Sequence, residues 1–306
     1  MRLSRLDRLA TLYFFQPLRR LRPAGRAGVP ILMYHSMSEV AQNGVRPYYQ
    51  TVTTPRVFAE HMEYLSRGRY KATTLADAVR LSQSPGPRTE KVVVVTFDDG
   101  FRNFYTDAFP ILNKCGFTAT VFLPTACIGE TALKFKGMEC LTWSQIRELQ
   151  RLGVQFGSHT VTHPQLRSIK TENVQTEVRA SKATIEDKLS APVNSFAYPF
   201  AFPETDRLFR QRLRAILEDA GYENGVSTII GTAGRTDDRF FMKRLPVNSR
   251  DDLRLFRAKL EGAYDWLHTF QYVYKLTLDN ANWLFRATGT RVAHQPDQSE
   301  KNGARR

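Results

Sequence analysis

The chain is short of cysteine, of long apolar runs and of acids to match its bases. Its three cysteines, Cys115, Cys127 and Cys140, are an odd number at irregular spacing. They fit neither a disulfide framework nor a zinc-ribbon pattern, so reduced thiols and a cytoplasmic location are expected. No stretch approaches the ~18 consecutive apolar residues of a membrane-spanning helix. The first residues, MRLSRLDRLATLYFF, are broken by arginine and lack the apolar core of a secretory signal. Acids number 30 against 44 lysines and arginines, a net charge of +14. Outside residues 1–27 that excess is scattered, with no basic-aromatic stripe and no helix-turn-helix pattern. A nucleic-acid partner is therefore not expected.

What is present begins with that basic segment. Residues 1–27 hold seven arginines and one acid, Asp7. Leu3, Leu6, Leu9, Leu12 and Tyr13 recur at helical spacing, while Arg2, Arg5 and Arg8 fall on other faces. This describes a basic amphipathic helix with two readings that stand level. It lies peripherally on an anionic membrane at the inner surface, or it is a solvated tail or a helix packed on the domain.

From residue 28 short apolar stretches alternate with amphipathic ones. Strand patterns fall at 28–35, 92–97, 118–123, 154–157, 193–197, 225–228 and 241–247. Helical patterns fall at 54–65, 75–81, 108–113, 142–152, 172–189, 208–220 and 251–261. Thr54-Pro55 and the Thr142/Gln145 capping box mark two helix starts. A Pro/Gly turn is expected at 84–88, and a long loop over 124–141 is placed to cover a cleft. The alternation predicts an α/β fold with parallel strands and helices outside. The expected division is 1–27 as the basic segment, 28–262 as one catalytic domain, and 263–306 as a C-terminal helix and polar tail.

The chemistry concentrates at strand ends. The run KVVVVTFDDG, 91–100, carries a buried-strand pattern into Asp98 and Asp99. Adjacent carboxylates repel and raise one pKa unless a cation neutralises them. The run GSHTVTHP, 157–164, places His159 and His163 four apart just after another strand pattern. Two imidazoles and one carboxylate make a site with open positions, suited to activating water on a metal. His35 and Tyr198 also follow strand patterns. In closed barrels of parallel strands, catalytic groups gather at the C-terminal strand ends.

TFDDG (96–100) followed by HTVTH (159–163) resembles the first two motifs of the polysaccharide deacetylases, carbohydrate esterase family 4, the NodB-homology domain. The resemblance covers roughly residues 28–250, including YHSM (34–37), VFLPT (121–125), LTWSQIREL (141–149) and FAYPFA (196–201). It implies a deformed (β/α)7-type barrel with one divalent metal, usually Zn2+, with Co2+, Ni2+ or Fe2+ as alternatives. Carried over residue by residue, it implies Asp99, His159 and His163 as metal ligands and Asp98 as the general base. The third motif implies a backbone N–H as oxyanion donor, here at Phe200 in Tyr198-Pro199-Phe200. Tyr198, Phe200 and Trp143 are also candidates to stack on a sugar ring.

Two departures stand out. The arginine that braces the base in the family is absent, with Ala197 near its place. Arg244 is the candidate substitute, its alternative being a surface ion pair. The leaving-group acid expected late in the domain is also absent, since His268 lies in an amphipathic stretch and His294 in the polar tail. His35 is the candidate acid, as in circularly permuted relatives that carry this histidine first. The function implied is metal-dependent removal of N-acetyl groups from amino sugars of a polysaccharide or lipid-linked glycan precursor, as in exopolysaccharide biosynthesis. Alternatives are a deformylase, a peptidoglycan or chitin-oligomer deacetylase, and a non-catalytic carbohydrate-binding protein on this scaffold.

Overall fold

The computed structural model describes residues 5–21, 28–84, 90–273 and 275–276. The expected turn at 84–88 falls almost wholly outside the described residues, and so does the polar tail at 287–306. Two compact units are distinguished, residues 1–268 and residues 269–306. The first holds all of the sheet described below. In the second, 269–273 and 275–276 are helical.

Seven parallel strands form a closed barrel: β1 (Ile31–Tyr34), β2 (Val92–Phe97), β3 (Thr120–Leu123), β4 (Gln155–Ser158), β5 (Ser195–Ala197), β6 (Asn224–Ile230) and β7 (Met242–Pro246). They follow one another in sequence order around the ring. Strand β1 closes it by pairing with β2 (Tyr34 opposite Phe97) and with β7 (Leu32 opposite Leu245). The two-residue strand Lys71–Ala72 pairs with the start of β2, Lys71 opposite Val92. This is the expected deformed (β/α)7 barrel.

The barrel follows from the side-chain alternation of its strands. All six residues of β2 are buried, as in a strand covered on both faces. Val92 and Val94 pack with Ile31, Phe122, Ala197, Val226 and Met242 in one cluster. Val93, Val95 and Phe97 pack in the other, with Phe58, Met62 and Leu65 of α1 (Pro55–Arg67) and Leu112 of α3 (Phe109–Lys114). The period of two thus divides the strand between the barrel interior and its helical jacket. It sends Thr96 and Asp98 toward the same side as Val94.

The jacket also comprises α2 (Leu75–Gln83), α4 (Trp143–Arg151), α5 (Thr171–Leu189), α6 (Arg207–Asp219) and α7 (Leu253–Leu260). Local chemistry sets their starts. Thr54 caps α1 with Pro55 in the first position, and Thr142 and Gln145 form the capping box of α4. The loop 124–141 is not featureless. It contains a 3-10 turn (Thr125–Cys127) and a hairpin, Lys134–Phe135 against Met138–Glu139.

The N-terminal helix runs as α-helix over Leu6–Ala10, as a π turn over Thr11–Phe15, and as α-helix again over Gln16–Leu21. It packs along α7. Leu12 is buried with Ala258 and Ala263, and Phe15 stacks on Trp266 at 4.5 Å. Among the described residues no helix is long and apolar enough to cross a membrane.

Candidate active site and metal centre

Five of the candidate residues, His35, Asp98, Asp99, His159 and Tyr198, continue a strand by one or two residues, and ladder hydrogen bonds carry on into the site. Asp98 N–H donates to the Tyr34 carbonyl (3.0 Å), His159 N–H to the Leu123 carbonyl (3.0 Å), and Tyr198 N–H to the Val226 carbonyl (3.0 Å). His35 follows β1, Asp98 and Asp99 follow β2, and His159 follows β4. The closed ring brings these C-terminal ends together at one mouth.

The two histidines converge because the segment between them turns. Thr160 and His163 adopt positive φ of 70° and 56°. The His163 N–H donates to Thr160 Oγ1 at 3.0 Å, and Glu177 of α5 accepts from the backbone N–H groups of Val161 (2.7 Å) and Thr162 (2.9 Å). One ligand atom from each of Asp99, His159 and His163 lies within 4.8 Å of the others, and all three residues are buried. His163 Nε2 is 3.3 Å and His159 Nε2 3.8 Å from Asp99 Oδ1. That oxygen is buried and has no hydrogen-bond partner, a costly condition for a carboxylate oxygen unless a cation meets it.

The protonation states suit a cation too. Burial pushes the His159 imidazole down to about 4, so it is neutral at neutral pH. Its Nδ1 lies 2.8 Å from the Ala197 carbonyl, which fixes the proton there and leaves the Nε2 lone pair facing Asp99. Burial pushes Asp99 upward, but His163, His35 and Lys136 pull it far below the usual carboxylate range. The residues present fit a divalent ion with nitrogen and oxygen ligands.

Asp98 has a different environment. Arg244 grips it in a two-pronged pair, Nη1 to Oδ1 and Nη2 to Oδ2, both at 2.7 Å. Arg244 is fully buried inside the barrel, with Nε donating to the Ser227 carbonyl and Nη1 also reaching Thr96 Oγ1. It is not a surface ion pair. Burial pushes Asp98 upward; Arg244 more than offsets this and holds it below the usual range. His35 Nε2 is 3.9 Å from Asp98 Oδ2, beyond direct hydrogen bonding. Burial pushes His35 down, partly opposed by Asp98 and Asp99. His61 lies elsewhere, buried between the Tyr34 hydroxyl (3.2 Å) and the Asp251 carbonyl (2.8 Å).

The aromatic candidates divide. Tyr198 is only 2% exposed and packs edge-on against Phe202 and Phe209, and Trp143 is likewise buried. A ring enclosed by the core cannot lie against a sugar, so both are corrected to packing roles. Phe200 is 44% exposed, with its ring 4.7 Å from that of His163. Its backbone sits at φ 59°.

Lys136, at the tip of the hairpin, escaped the sequence reading. Its ammonium donates to Asp99 Oδ2 at 3.0 Å and lies over the rings of Phe135 (4.6 Å) and Phe200 (5.9 Å). The signal was Lys136-Gly137 between Phe135 and Met138. Positive φ at both turn residues, 50° and 79°, makes it a two-residue hairpin turn. Among the described residues seven non-glycine residues have positive φ, and five of them, Asp99, Lys136, Thr160, His163 and Phe200, surround this site.

A family model described as polysaccharide deacetylase matches residues 85–225. A Bacillus subtilis (strain 168) protein provisionally named a polysaccharide deacetylase is 31% identical over 237 residues, 77% of each chain. A poly-beta-1,6-N-acetyl-D-glucosamine N-deacetylase of Staphylococcus aureus is 25% identical over 203 residues, 62% of this chain and 66% of that one. Among solved structures, a Streptococcus pyogenes deacetylase in complex with acetate shares the fold. Its TM-score is 0.66 and its identity 24%, over 76% of this chain and 98% of that one.

Proposed function

The chain belongs to the polysaccharide deacetylase family, and on that premise we propose that it is a metal-dependent hydrolase removing N-acetyl groups from amino sugars of a glycan. One observation carries the reading. An unpartnered Asp99 oxygen faces two imidazoles, next to a carboxylate held ionised by a buried arginine. The name of the Staphylococcus aureus relative supports a β-linked N-acetylglucosamine polymer as substrate.

Asp99, His159 and His163 would hold a divalent ion, Zn2+ by its ligand set. When bound, it supplies Lewis acidity that polarises the amide carbonyl and makes water a stronger acid. Asp98 takes the proton from the attacking water. Arg244 keeps that carboxylate ionised and fixes its plane, at the cost of some basicity. The backbone N–H of Phe200 donates to the oxygen on which negative charge develops. His35, on the Asp98 side of the site, gives its proton to the departing amine. Phe200 and Lys136 line the mouth, offering an aromatic face and a cation to an oxygen-rich sugar. The three free thiols favour a reducing compartment.

The test measures acetate release from an N-acetylated glycan, with and without chelator, for the wild type and for Asp98→Asn. Chelation should abolish release. Asp98→Asn should cut turnover by ~10²–10⁴-fold, the range of general acid–base catalysis, while still binding metal. Stoichiometric metal binding without cleavage of an acetyl or formyl amide would sink the enzyme reading. Mass analysis of the product separates acetyl loss from formyl loss. His35→Ala should lower turnover and leave metal affinity nearly unchanged; loss of metal binding alone would remove His35 as the acid.

A further inference from the structure

The N-terminal helix has two apolar faces, and the barrel uses one. On the inner face Arg5 pairs with Asp251 (2.7 Å), and Asp7 accepts from the Tyr264 hydroxyl (2.7 Å). Thr11 accepts from the Trp266 indole (3.0 Å), and Gln16 donates to Glu261 (3.2 Å). These bonds fix the helix along α7. On the outer face Leu6, Leu9, Tyr13, Phe14 and Leu18 stand 44–72% exposed. Leu253, at the start of α7, adds another exposed apolar side chain.

The rim of this face carries arginines. The Arg254 guanidinium lies 5.9 Å from the Tyr13 ring, and Arg8 is paired with Asp252. The one acid in residues 1–27, Asp7, is turned inward onto Arg5 and Tyr264. Five large apolar side chains on one short helix are more than the scattered exposure a monomer tolerates. A helix with an apolar face and arginines around it lies in the plane of a lipid interface. A second copy is the poorer occupant, because it would set one arginine rim against another.

We propose that this outer face docks the protein on an anionic lipid surface. The helix runs from Arg5, beside Asp251 in the loop that leaves β7 at the catalytic end, to Gln16 beside Glu261 at the far end of α7. Lying flat, it turns the side of the barrel to the bilayer and leaves the mouth open along the surface.

The test uses the full chain with vesicles of phosphatidylcholine alone and of phosphatidylcholine with phosphatidylglycerol. The wild type should sediment with the anionic vesicles and release as salt is raised. Leu6→Ser/Tyr13→Ser/Phe14→Ser should weaken binding by about tenfold or more, with an unchanged melting temperature. If that variant folds poorly, Leu6→Ser/Leu9→Ser, which removes no ring contact, replaces it. Equal binding to both vesicle types, or unchanged binding of the variants, overturns the proposal. So does a wild-type dimer, seen by sedimentation velocity, that the variants dissolve without any vesicle binding. That outcome would give the face to a second copy.

Discussion

Arg244 and Asp98 form a pair whose two members depend on each other. Both side chains are enclosed, at 0% and 3% exposure. Breaking a buried pair leaves an uncompensated charge, and such losses run to about 3–5 kcal/mol. Arg244→Met should therefore lower stability by that order, measured by urea unfolding. Arg244→Met/Asp98→Asn should recover much of the loss, because no charge is then stranded. Additive losses would show that the two residues act separately. Sequence offers Arg244 as a brace for Asp98 but leaves a surface ion pair equally open, for a physical reason. A charged residue in a strand pattern ordinarily points to solvent, and only closure of the barrel turns position 244 inward onto position 98. Tyr198 misleads in the opposite sense. An aromatic just past a strand end can face the mouth or the jacket, and here it faces the jacket.

At the level of elements, the ligand turn is held by a neighbour that touches no ligand atom. Glu177 of α5 accepts from two backbone N–H groups and from the Thr162 hydroxyl (2.6 Å), inside the His159–His163 segment. Outer partners of this kind usually contribute 10- to 100-fold in metal affinity. Glu177→Ala should weaken binding by about that factor in calorimetric titration, with little change in the metal-free melting temperature. Unchanged affinity would show that the positive-φ turn holds its shape unaided. The hairpin at 134–139 shows what composition conceals. Its six residues, KFKGME, are too few for a periodic signal, so the turn pair Lys-Gly was the only cue.

Across the whole molecule, the strands and helices were readable because the barrel requires them to alternate. Each buried strand is a short apolar run, and each jacket helix an amphipathic one. The candidate metal cluster was readable because Asp99, His159 and His163 sit in compact motifs beside their strands. The dual use of the N-terminal helix was not, since spacing shows an apolar face without showing how many neighbours share it. That helix is tied to the barrel through Asp251, which is buried with Lys259 (2.8 Å) and Arg5. Burial pushes Asp251 upward, but Lys259 and Arg5 more than offset this and hold it below its unfolded value. A depressed carboxylate contributes stability above its unfolded pKa and loses it as pH falls through the folded one. The melting temperature should therefore drop on the acid side of about pH 4, and Asp251→Asn should flatten that limb while lowering the neutral plateau. An acid limb of equal slope in the variant would place the titrating group elsewhere.

The crowding of left-handed residues around the mouth has an evolutionary corollary. Asp99, Thr160, His163 and Phe200 each hold a backbone conformation that glycine or asparagine would adopt more easily. Selection for heat tolerance alone would drift toward those replacements, and two of the four positions are proposed ligands. The hardiest descendants of this chain would then be inert ones. Durability and turnover would pull on the same few peptide bonds from opposite directions.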